Sequence, residues 1–129
     1  MKKLIYGFIL LFCIALNGCK KDDLIFKKEQ LLGQWTFIKE LKKVNNDAEV
    51  EIPITSQTYD FKSTGDVDLI EGGQILLKAK WELINGRYLR INNQDPNYTI
   101  TKLDEHNLIY YYIYTDASGT TQYTFYYTR

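Results

Sequence analysis

The chain has 129 residues, with 16 Lys or Arg against 16 Asp or Glu, one histidine, two cysteines and 11 tyrosines. That length suits one compact domain with a modest core. Formal neutrality without a basic stripe argues against a nucleic-acid partner, and a lone histidine lacks the spaced companions that zinc requires.

Lys2 and Lys3 precede an apolar run, Leu4 to Leu16, and small Gly18 follows it. A charged start, a short apolar stretch and a small residue make a secretory signal. The run is too short for a membrane helix, which needs about 20 residues, and Lys20-Lys21-Asp22-Asp23 ends it. Leu16-Asn17-Gly18-Cys19 resembles the lipobox of bacterial lipoproteins, in which cleavage before the cysteine precedes its acylation. The resemblance implies a signal peptide over 1–18, lipid attachment at Cys19 and a lipidated tether over 19–30. Several acyl chains make a stable anchor at about 0.8 kcal/mol per buried methylene. Cys13 leaves with the signal and Cys19 is consumed, so no thiol remains for a disulfide, a nucleophile or a metal. Removing Lys2 and Lys3 gives the mature chain a net charge of −2. Lys21-Asp22-Asp23 resembles the export signal behind the cysteine in surface lipoproteins of Bacteroidetes-type bacteria; a plain polar spacer is the alternative.

A helical turn or two is expected within Leu24–Leu32. From Gln34 onward the hydrophobic period is two, which indicates half-buried strands. Trp35, Phe37 and Leu41 share a parity interrupted by Lys39, and Tyr59 and Phe61 oppose Asp60 and Lys62. Val67 and Leu69 alternate with Asp66 and Asp68. Ile75, Leu77, Ala79, Trp81 and Leu83 form the longest apolar series. Leu89 and Ile91 follow, then Tyr98 and Ile100, then Leu108, Tyr110, Tyr112 and Tyr114, and last Tyr123, Phe125 and Tyr127.

Turn residues separate these runs: Ser63-Thr64-Gly65, Glu71-Gly72-Gly73, Asn85-Gly86 and Ala117-Ser118-Gly119. Asn85-Gly86 is the strongest, because a type I′ turn needs positive φ at both central residues. Connections this short leave no room for crossover helices. The expectation is an all-β fold, a small antiparallel meander barrel of about eight strands over residues 31–129. Closing the sheet removes its edges.

Leu32-Gly33-Gln34-Trp35 resembles the Gly-x-Trp opening of lipocalins. The short lipocalin-like lipoprotein domains of Bacteroidetes-type bacteria are closer still. Their Phe-x-x-x-Gly hairpin corresponds to Phe61–Gly65, and their Trp strand turning through Asn-Gly to Trp81–Gly86. Their late Tyr-x-Ile-x-x-Leu corresponds to Tyr98–Leu103, with Leu108-Ile109 as the second Leu strand. The likeness spans roughly residues 31–128. The chain departs from classical lipocalins in lacking the C-terminal helix and the Thr-Asp-Tyr motif. Arg129 is the candidate for the arginine that packs over their tryptophan.

Trp35 reads as a plug at the closed barrel end, with ligand stacking as the alternative. Seven tyrosines fall within residues 110–127. Cross-strand packing, a cavity lining and an exterior patch all remain open for them, since a buried phenol wants a hydrogen-bond partner. Trp81, Tyr112 and Tyr127 are the candidate ligand-binding residues. No catalytic residue is assigned: His106 sits in the polar turn Asp104-Glu105-His106-Asn107, and Ser56, Ser63 and Ser118 lie in or beside turns. Asp66 and Asp68 share a face, but i,i+2 carboxylates facing solvent are not a cleft pair. No metal or cofactor is implied. The expected protein is a non-catalytic outer-membrane lipoprotein, held to the membrane through Cys19 and exposed at the cell surface. It would bind a small apolar, amphiphilic or sugar ligand. The alternative is a structural or interaction module with a filled barrel and an envelope protein partner. Eleven inward aromatic rings in so short a barrel predict a lumen occupied by its own side chains.

Overall fold

The computed structural model describes residues 24–92 and 96–129. The expected signal peptide, acylated Cys19 and the tether as far as Asp23 lie outside the described residues. Among the described residues a helical turn, α1 (Lys28–Leu31), precedes nine strands. These are β1 (Gly33–Val44), β2 (Val50–Ile52), β3 (Thr58–Phe61), β4 (Asp66–Glu71), β5 (Gln74–Ile84), β6 (Tyr88–Ile91), β7 (Tyr98–Leu103), β8 (Asn107–Asp116) and β9 (Gly119–Thr128).

Every pairing is antiparallel, and consecutive strands from β3 to β9 are neighbours. Strand β1 closes the sheet. Its first residues, Gly33–Thr36, pair with β3, while Thr36–Val44 pair with β9 on the other edge. The result is an eight-stranded meander ring. Strand β2 is a ninth, attached to the far half of β1 through Glu40↔Ile52, Leu41↔Glu51 and Lys42↔Val50. Three residues carry too little alternation to announce a strand, so Val50-Glu51-Ile52 escaped the sequence pattern.

Three bulges change the faces read from simple alternation. Between Phe37 and Lys39 the register with β9 shifts, so Phe37 opposes Tyr127 but Glu40 opposes Phe125. Glu40 and Lys42 therefore share the face of Phe125 and Tyr123, and Leu41 moves to the outer face against Thr124. On β5, Leu77 opposes Leu69 and Ile75 opposes Ile70, leaving Leu76 as the extra residue. Ile75 thereby leaves the inward series to which its parity assigned it. On β7, a shift at Thr101 brings Leu103 opposite Leu108, and Leu103 is buried. A bulge inserts one residue and flips all that follow.

The type I′ turn expected at Asn85-Gly86 is present, with φ of 54° and 66°. Gly86 is also required by crowding: a Cβ there would lie 2.7 Å from Ile25 Cγ2. The segment before α1 crosses this turn, and Phe26 N–H donates to Gly86 O at 2.6 Å. Turns β3–β4, β5–β6 and β7–β8 lie at this capped end, together with α1 and Arg129. The hairpins β1–β2, β4–β5 and β8–β9 form the opposite, open end. Residues 24–129 hold the nine described strands, the cap and the buried core cluster.

Candidate functional site at the barrel mouth

Trp35 seals the capped end, with no exposed surface. Its indole N–H donates to Leu31 O at 2.9 Å, so α1 serves as an acceptor as well as a lid. The Arg129 guanidinium lies 4.0 Å from the ring centre. That side chain also donates to Leu32 O at 2.6 Å, Gln30 O at 3.2 Å and Glu105 O at 3.0 Å. Gly33 starts β1 at φ 106°, and a Cβ there would meet Arg129 Nη1 at 3.5 Å. Trp81 stands beside this floor, edge-on to Phe61 at 5.4 Å, and its indole N–H donates to Lys62 O at 3.0 Å.

Aromatic rings fill the next layers. Phe37 stacks on Tyr127 at 5.1 Å, Tyr127 on Tyr110 at 5.3 Å, and Tyr110 lies 5.4 Å from Phe125. Tyr59 and Tyr98 close on the same group at 5.8 Å from Tyr127 and 4.8 Å from Tyr110. The Tyr110 and Tyr127 hydroxyls share a hydrogen bond of 2.6 Å, so two buried phenols satisfy each other. Burial pushes both well above the usual tyrosine range, most completely at Tyr110. All eleven aromatics expected to face inward are buried or half-buried. The capped half of the lumen is occupied.

Beyond Phe125 the filling thins. Tyr112 stacks on Tyr123 at 5.1 Å and near-parallel to Phe125 at 6.0 Å, with Tyr98 edge-on at 5.6 Å. These four rings are half-buried, and Tyr114, one step further along β8, is 56% exposed. The β1 bulge turns Glu40 and Lys42 into this mouth. Burial raises the Glu40 carboxyl above its ordinary value, and its charge helps raise Tyr112 after burial itself. Lys42 Nζ lies 5.8 Å from the Tyr123 ring centre. The wall continues through Val44, Ala48 and Val50, which with Lys42 and Asp47 line an open, largely apolar cleft of about 290 Å³.

Of the three candidate ligand residues, only Tyr112 reaches the mouth. Trp81 and Tyr127 are each 4% exposed and fill the core. Asp66 and Asp68, side by side on the outer face, are each taken by a lysine. Lys80 and the Thr64 hydroxyl hold Asp66, lowering its carboxyl, and Lys62 holds buried Asp68 at 2.7 Å. His106 lies in its turn with Nδ1 3.1 Å from Arg129 O. Among the described residues no three His, Cys, Asp or Glu side chains cluster to hold a metal. Glu40 and Lys42 were missed because alternation counted from Trp35 assigns them to solvent. The two consecutive polar residues Lys39-Glu40, where one was due, were the available signal.

No protein-family model matches the chain, and neither does any curated protein.

Proposed function

We propose that this protein is a non-catalytic, lipid-anchored envelope protein whose lipocalin-like barrel binds a small amphiphile at its open mouth. One observation carries the reading. The barrel passes from a sealed floor at Trp35 to half-buried Tyr98, Tyr112, Tyr123 and Phe125, flanked by inward Glu40 and Lys42. Rings with hydroxyl edges beside charges suit a molecule with an apolar part and a polar head. The eight-stranded meander and the Arg129 guanidinium over Trp35 support the lipocalin likeness.

Anchorage rests on the lipobox-like Leu16-Asn17-Gly18-Cys19. Four residues separate Cys19 from Leu24, a reach of roughly 14–18 Å at full extension. Leu24 belongs to the capped end, so an acylated Cys19 keeps that end against the bilayer and turns the mouth outward. Intact mass of the membrane-bound protein is expected to give an acylated Cys19 at the N-terminus, absent after Cys19→Ala. An unmodified Cys19 in the native membrane fraction would overturn the anchor.

Binding is best followed by calorimetry on residues 24–129. Both tryptophans lie at the capped end, too deep for their fluorescence to report on the mouth. Saturable binding of C8–C12 amphiphiles is expected, and heat-silent titrations across the series would sink the reading. A second reading, an interaction module with a filled barrel, draws on the exposed Ile75, Leu76, Leu77, Ile113 and Tyr114 near the open end. Apolar surface of that kind marks docking sites as readily as ligand mouths.

A further inference from the structure

We infer that the mouth selects a zwitterionic head group, with Glu40 receiving its cation and Lys42 its anion. The inference rests on the proposed binding of an amphiphile at the mouth and specifies its chemistry.

The argument starts from the backbone. Without the bulge after Phe37, the inward side chains would be Lys39 and Leu41. The bulge replaces them with Glu40 and Lys42, and bulges next to sites commonly re-aim side chains in this way. Lys39 instead lies outside, 4.6 Å from the Tyr126 ring centre. A carboxylate and an ammonium thus stand two residues apart on one face of β1, roughly 6.6 Å along the strand. They do not pair: no Glu40–Lys42 ion pair forms among the described residues, and the Glu40 carboxylate has no hydrogen bond there. Half-burial makes that carboxylate costly without a partner. Directly across the strand it faces Phe125, with Tyr123 diagonal to it opposite Lys42, and Tyr112 lies close enough to feel its charge.

Rings around an unanswered carboxylate suit an organic cation, held by the aromatic faces and the negative charge together. Lys42 adds the complementary element. Its ammonium, already against Tyr123, meets an anion attached a few ångströms from that cation. A head group with only one sign satisfies one residue and confronts the other. Beyond Lys42, the cleft at Val44, Ala48 and Val50 receives the apolar tail.

The test uses residues 24–129 and four decyl probes below their micellar concentrations: phosphocholine, trimethylammonium, sulfate and maltoside. Decylphosphocholine is expected to bind at least tenfold more tightly than the other three. Glu40→Gln is expected to weaken phosphocholine and trimethylammonium about tenfold and leave sulfate no weaker. Lys42→Met is expected to weaken phosphocholine and sulfate and spare trimethylammonium. The two variants are independent, so misfolding of one leaves the other decisive. Equal affinity for all four probes would overturn the inference while leaving an apolar mouth intact. Tighter binding of either singly charged probe would also overturn it. Absence of binding by every probe would remove both the inference and the reading beneath it.

Discussion

The Arg129 guanidinium stacks 4.0 Å above the Trp35 ring while three of its N–H groups reach the carbonyls of Gln30, Leu32 and Glu105. One side chain thereby ties the end of β9 to α1, to the start of β1 and to the β7–β8 turn. Arg129→Ala removes a cation–π contact and three charge-assisted hydrogen bonds at the seam where the ring closes. The expected loss is about 2–3 kcal/mol in urea melts. Arg129→Lys keeps the charge but loses the planar fork, and is expected to recover less than half. A loss below about 0.5 kcal/mol for the alanine variant would mean that the seam closes without Arg129.

Glu40 offers a pH test. Burial raises its folded carboxyl above the unfolded value, so the folded state holds the proton more tightly. The stability this adds is fully present below the unfolded value, near 4.5, and is lost as pH rises through the folded one. Asp66, Asp104 and Asp116 are lowered by their hydrogen bonds and act in the opposite direction, so the whole protein still weakens in acid. The difference between Glu40→Gln and the unmodified protein isolates the one group. Glu40→Gln is expected to gain relative stability between pH 4 and pH 7. A difference that is flat with pH would place Glu40 in free solvent.

The period-two pattern gave the strand series and the inward rings because alternation follows directly from the pleat, and Asn85-Gly86 marked its turn because few residues accept positive φ. The Trp35 floor was legible for the same reason, as a large ring entering after Gly33. What stayed hidden depends on register. A bulge is a tertiary choice between neighbouring strands: the adjacent polar pair Lys39-Glu40 breaks the alternation but does not state which residue is extra. Simple alternation puts Leu41 and Ile75 on the wrong face for that reason, and it puts Glu40 and Lys42 on the solvent side. Tyr127 has the parity of a candidate ligand residue, but pairing with Phe37 and Leu108 sets it deep in the barrel.

Tyr110 and Tyr127 form a buried hydroxyl pair, and burial favours the neutral phenol at each position. Their folded values rise above the unfolded tyrosine value near 10, chiefly because burial disfavours phenolate. Stability from this source is complete below pH 10 and falls as pH climbs further. Ultraviolet titration is expected to leave these two phenols silent until the protein unfolds in alkali. Tyr110→Phe or Tyr127→Phe alone orphans the partner hydroxyl and is expected to cost about 1–3 kcal/mol. The double variant is expected to cost clearly less than the sum, since neither hydroxyl remains. Simple additivity would show that the 2.6 Å contact carries no coupling.

Tyr112 and Tyr127 separate binding from folding. Both lie on the inner face, yet Tyr127 is packed against Phe37, Tyr59 and Tyr110, while Tyr112 is half-buried beside Tyr123. Truncating Tyr127 to alanine opens a hole in the filled half and strands the Tyr110 hydroxyl, at an expected cost of roughly 3–5 kcal/mol. Tyr112→Ala removes a ring that already meets water on one side, so about 1–2 kcal/mol is expected by scaling the same core value to partial burial. For ligand affinity the ranking reverses. Tyr112→Ala is expected to weaken decylphosphocholine about tenfold, equivalent to about 1.4 kcal/mol. Tyr127→Phe, which keeps the ring and the filling, is expected to leave that affinity unchanged. Paired urea melts and calorimetric titrations on the variants check both rankings. Should Tyr127→Phe weaken binding as strongly as Tyr112→Ala, the ligand would reach into the lumen and the filled floor would have to open to admit it.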